Sequence, residues 1–227
     1  MAFSQVSNTS LVPWSSVVFI RSTFSDGNGG TVRFGGTGIV TGRNDVLTAG
    51  HVVFSGEYGE ALRVEVFPGL SGSQEPFGSF LAESFSFNRV DEDGDRGITP
   101  QESGRDVALL NFSVPLGETT GWMNLDPDFF NGQASVTGYP GTANGFMVTE
   151  TAFAQIDPTY DTVYVRNYDI DSGHSGSPIW YQQAGTSYVV GLVSTGTWAF
   201  QIGGPYYDQL LNLMAANETL LAAYGGI

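Results

Sequence analysis

The chain has 227 residues, no cysteine and a net charge of −15, from 23 acidic residues against eight basic ones, all arginine. Disulfides and thiolate metal sites are therefore excluded, and so negative a surface disfavours nucleic acid and anionic membrane while favouring cationic substrates or metal ions. No apolar run approaches the roughly 18 residues of a membrane span.

Met1 to Leu11 is polar and lacks a signal-peptide pattern. Short β-branched and aromatic runs then recur between Gly, Asn and Asp punctuation: Ser15 to Phe19, Thr31 to Phe34, Gly38 to Thr41, Leu62 to Phe67 and Val107 to Phe112. After a PLGETTGW stretch at Pro115 to Trp122 they resume as Ala134 to Tyr139, Thr162 to Arg166, Ser177 to Tyr181 and Tyr188 to Ser194. This spacing predicts an all-β fold of sandwiches or barrels, split into units at 1–117 and 118–227. One helix is predicted at the C-terminus, where Leu210, Leu211, Leu213, Met214, Leu220 and Leu221 fall in a segment free of Gly and Pro before Gly225.

Three motifs carry chemistry: Thr48-Ala49-Gly50-His51 at a strand end, Asp106-Val107-Ala108-Leu109-Leu110 at a strand start, and Gly173-His174-Ser175-Gly176-Ser177-Pro178 in a tight turn. A serine hydroxyl is a poor nucleophile at neutral pH. It needs an imidazole to take its proton and a carboxylate to fix that imidazole's tautomer. The pattern assigns Ser175 as nucleophile, His51 as base and Asp106 as orienter. The small residues flanking Ser175 allow a sharp turn, and the N–H groups of Gly173 and Ser175 are expected to form the oxyanion hole.

The TAGH, DVALL and GHSGSP motifs resemble the active-site signatures of the trypsin-like (chymotrypsin-fold) serine peptidases of bacterial type. Thr137-Gly138-Tyr139-Pro140-Gly141 and Tyr168-Asp169-Ile170-Asp171 are similar to the glutamyl endopeptidase branch. The resemblance runs from about Val17 to the C-terminus. It implies two six-stranded antiparallel Greek-key barrels with the triad between them and a C-terminal helix. It also implies an exported (extracellular or periplasmic) monomer acting on protein or peptide substrates. Where trypsin keeps an aspartate before the nucleophile, this chain has His174, so activation by an ion pair at that position is not expected.

The resemblance also points to a specificity pocket. Asp169, six residues before Ser175, falls where trypsin-like enzymes keep a carboxylate, with Ser194 and Gly196 in the pocket wall and Tyr206 at its back. This implies cleavage after Arg or Lys. The wall carries Val193 where glutamyl endopeptidases have histidine, although a glutamate-specific or broad peptidase stays open.

Finally, residues 91–102 place Asp91, Asp93, Asp95, Thr99 and Glu102 at positions one, three, five, nine and twelve of a loop. That is EF-hand spacing for one Ca2+. Arg96 stands at position six, where glycine is usual, and Gly97 follows one place late. The loop ends just before Asp106, which predicts that calcium stabilises or regulates activity. A catalytically silent calcium-dependent binding module is the alternative from another class.

Overall fold

A computed structural model describes residues 3–91 and 97–224. The first half forms a sheet that runs, in spatial order, Phe80–Leu81, Arg63–Pro68, Val17–Ser25, Thr31–Val40, Asp45–Thr48, Ala108–Asn111 and Ser84–Phe87. The strands at its two edges are successive pieces of one segment. Ala82 N–H donates to Val64 at one edge and Glu83 N–H to Asn111 at the other. The sheet therefore curls round on a bend at residues 82–83 rather than on an unbroken ladder.

The second half closes by hydrogen bonding alone. Asn131–Gly138, Val148–Asp157, Thr162–Tyr164, Trp198–Gln201, Thr186–Val193 and Pro178–Gln183 form a six-stranded ring, with Ser4–Gln5 added outside Val148–Asp157. The expected two-barrel architecture is thus present, with one ring complete and one closed by a bent edge.

The ten-residue strand Val148–Asp157 was not among the expected runs. It alternates inward and outward, but its inward positions are Glu150, Ala152 and Ala154 between Val148 and Ile156. Small and acidic residues at core positions leave little apolar contrast to read. The Pro115 to Trp122 stretch packs as the short helix Leu116–Thr120, with Leu116, Gly117 and Thr120 buried.

Each barrel has its own core, and a third apolar cluster lies between them. Val17, Ile39, Leu47 and Leu109 from the first half meet Trp180, Val189, Leu192 and Phe200 from the second. Burying side chains of this size contributes about 1.5–3 kcal/mol each. The C-terminal helix, Tyr207–Tyr224, sets Leu210 and Leu221 against the body while leaving Leu211 exposed. The Asn217 side chain donates to Asp45 at 2.7 Å, and the Asn217 carbonyl accepts from Asn44 at 3.1 Å. The helix thereby clips onto the first barrel.

Candidate active site

The strand Asp45–Thr48 runs into a single 3-10 turn, Gly50–Val52, which lifts His51 out of the first barrel. Gly50 is required there, because a Cβ would lie 2.6 Å from the Asn88 carbonyl and 3.2 Å from the Asp106 carboxylate. Asp106 leads into the neighbouring strand Ala108–Asn111, so the ladder between the two strands brings histidine and aspartate to one end.

His51 Nδ1 lies 2.7 Å from Asp106 Oδ2, and the His51 backbone N–H donates to Asp106 Oδ1 at 3.0 Å. On the far side of the ring, His51 Nε2 lies 2.7 Å from Ser175 Oγ. Asp106 is fully buried. Burial pushes its carboxyl up, but the His51 charge, the His51 hydrogen bonds and the Ser194 hydroxyl together hold it below the usual carboxylate range. Burial likewise opposes the imidazolium of His51. The Asp106 charge and hydrogen bond, with a smaller contribution from Asp91, outweigh it and raise His51 above its ordinary value.

Ser175 sits in a turn whose flanking glycines, Gly173 and Gly176, take positive φ of +96° and +79°. A Cβ on Gly176 would strike Thr48 Oγ1 and the Thr37 carbonyl. The turn is tied on both sides. His174 N–H donates to Asp171, Ser177 N–H to the His174 carbonyl, and Gly176 N–H to Val193. Among the described residues, the N–H groups of Gly173 and Ser175 donate to nothing.

Thr37, which no sequence signal singles out, joins the barrels at this turn. Its N–H donates to the Ser175 carbonyl at 2.8 Å, and its hydroxyl donates to Gly173 at 2.9 Å while accepting from Tyr139 N–H at 3.0 Å. A polar residue inside a glycine-rich apolar run gives no hint of a partner 136 positions later.

His174 is fully buried. Its Nδ1 accepts from Asp171 N–H at 3.0 Å, and the Phe3 ring stacks on it with centroids 4.4 Å apart. Burial lowers its pKa to about 4, so it is neutral at physiological pH. Phe3 is a neighbour that sequence reasoning did not supply.

The residues expected to form the specificity pocket are not gathered around one cavity. Asp169 is exposed and lines a hollow with Phe3, Asp171 and His174. Ser194 is buried, and its hydroxyl donates to Asp106 Oδ2. Gly196 is exposed with open space beside it. Tyr206 packs against Phe200 and lines one cavity with Leu210 and Leu213 of the C-terminal helix and another with Gly104 and Tyr160, and Ser194 lines neither.

Of the calcium-type set, Asp93 and Asp95 lie outside the described residues, and Asp91, Thr99 and Glu102 come together. Glu102 Oε1 accepts from Asp91 N–H at 3.0 Å, and its Oε2 accepts from Thr99 N–H and hydroxyl at 2.9 and 2.8 Å. Thr99 caps the short helix Pro100–Ser103 in a capping box. Glu102 thus closes the loop end to end, and as a bidentate metal ligand it would have to exchange these hydrogen bonds for the ion.

The trypsin-like peptidase domain model matches residues 36–192, a span that includes His51, Asp106 and Ser175. A glutamyl endopeptidase structure superposes with a TM-score of 0.72 at 20% identity, covering 94% of this chain and 96% of that one. Protease Anisep from Arthrobacter nicotinovorans gives 0.71 at 20% identity, covering 91% and 98%. A Bacillus subtilis protein named extracellular metalloprotease is 24% identical over 216 residues, 92% of this chain, and this chain spans 65% of its length. The chain belongs to the trypsin-like peptidase family, with the two-barrel fold of its serine endopeptidases.

Proposed function

We propose that His51, Asp106 and Ser175 are the catalytic triad of an endopeptidase working through an acyl-enzyme. The observation that carries this reading is the unbroken relay from Asp106 through His51 to Ser175 Oγ, beside two undonated N–H groups. Ser175 Oγ attacks the scissile carbonyl carbon and its proton passes to His51 Nε2. The oxyanion takes hydrogen bonds from Gly173 and Ser175 N–H. The C–N bond then breaks, the amine leaves with the proton from His51, and water deacylates the ester by the reverse transfer. A fluorophosphonate probe should label Ser175 and not the Ser175→Ala variant. A folded protein that never labels is instead the silent binding module.

Cleavage after Arg or Lys is the specificity we assign, on the carboxylates of Asp169 and Asp171 near the nucleophile and the strongly acidic surface. The exposure of Asp169, in a hollow that neither Ser194 nor Gly196 lines, favours a second reading of broad or glutamate specificity. A peptide panel varying only the residue before the cut decides between them. Residues 91–102 are assigned a stabilising or regulatory Ca2+. This rests on their oxygen spacing and on the meeting of Asp91, Thr99 and Glu102. Melting curves that coincide in EGTA and in added calcium would end that assignment. Secretion is the compartment that accords with the name of the Bacillus relative.

A further inference from the structure

A cavity of about 280 Å³ opens directly beside the reacting atoms, with His51 and Ser175 in its wall. Its other walls are mainly apolar, from Phe24, Phe34, Val52, Phe54 and Ile98, with Ser55 and Asp91 as polar members. Phe24 is fully buried and forms the floor, whereas Phe34 is 48% exposed at the rim. These rings are braced from behind. Phe34 packs on Phe24 and Tyr58 with centroids 5.6 and 5.7 Å apart, and Phe54 stacks on Phe87 at 5.6 Å. The wall is therefore preformed, and a ligand need not order it.

We infer that this cavity selects a large apolar side chain, aromatic or branched aliphatic, on the substrate residue immediately after the scissile bond. The inference rests on the endopeptidase reading of Ser175. The leaving amine must receive its proton from His51 Nε2, so the first residue after the cut is held within a few ångströms of that ring. None of residues 169–172 or 194–196, where the acyl side was expected to bind, lines this cavity. Phe34 and Gly35 of the strand Thr31–Val40 line it instead, so the strand that meets the Ser175 turn also supplies part of the cavity wall.

The test is a set of peptides with one fixed residue before the cut, chosen from the panel above, and Phe, Leu, Ala, Gly, Asp or Lys after it. Substrates with Phe or Leu should exceed those with Gly or Asp in kcat/KM by about ten- to hundredfold, as burial of such a side chain implies. Phe34→Ala and Ile98→Ala should each shrink the Phe-to-Gly ratio about three- to tenfold. Phe34→Arg should turn the preference towards Asp. Reading a ratio within each variant cancels differences in folded fraction, and Phe130→Ala, an exposed ring elsewhere, should leave the ratio as it is. A flat profile from an enzyme that labels with fluorophosphonate overturns this inference and leaves the peptidase reading standing. Failure to label removes both.

Discussion

Asp45 and Asp106 lie at opposite ends of one β-ladder. The ladder pairs Asp45 with Asn111 at one end and Thr48 with Ala108 at the other, next to His51 and Asp106. Both carboxylates are almost wholly buried, at 2% and 0% exposure, yet they titrate in opposite directions. Burial drives Asp45 up to about 6, because only the Asn217 amide opposes it and the Glu218 charge adds to it. Asp106 feels the same burial but receives two hydrogen bonds from His51 and one from Ser194, together with the imidazole's charge, and ends below its ordinary value. Burial alone therefore does not decide what a carboxylate does in this barrel. The donors around it do.

The strongest way to break the contrast is to remove the charge at the catalytic end. Asp106→Asn should lower kcat/KM about 10⁴-fold, since an amide favours the wrong tautomer of His51. A chain that keeps most of its activity would refute the triad assignment. At the other end, Asp45→Asn should leave turnover intact and raise stability at neutral pH by about 1–3 kcal/mol, read by urea unfolding.

The sign follows from the folded state binding the proton of Asp45 more tightly than the unfolded chain does, with a pKa of about 6 against 3.8. Its contribution falls as pH rises between those values and is level above them. The variant's advantage should accordingly fade below about pH 4.

Smaller effects sharpen the comparison. Thr37→Val keeps the side chain's shape but unties the Gly173 carbonyl and Tyr139 N–H. It should lower kcat about tenfold with KM little changed, the mark of a positioning residue. Ser194→Ala deletes one donor from Asp106 and should cost several-fold in kcat/KM. Least in magnitude is the pH profile of kcat/KM. Its acid limb should turn at a value above the roughly 6.5 of free imidazole, because Asp106 holds the proton on His51. A limb at or below that value would mean that His51 is not the group being titrated.

Much of this protein could be read from the chain alone. The proposed triad was legible because its chemistry restricts it to three residue types, each set in a short strand-end or turn motif of the sequence. Alternation of β-branched and aromatic residues gave away most of the barrel strands but not Phe80–Leu81, Ser84–Phe87, Trp198–Gln201 or Val148–Asp157, the last of which carries alanines and Glu150 at inward positions. Tertiary structure alone decided the partners that act across the chain: Thr37 reaching Gly173, Ser194 turning inward to Asp106, Phe3 covering His174 and Tyr206 lining a cavity with Gly104 and Tyr160. These contacts join residues up to 171 positions apart. No local pattern encodes them, because each depends on a partner brought near only by the tertiary fold rather than on the sequence on either side.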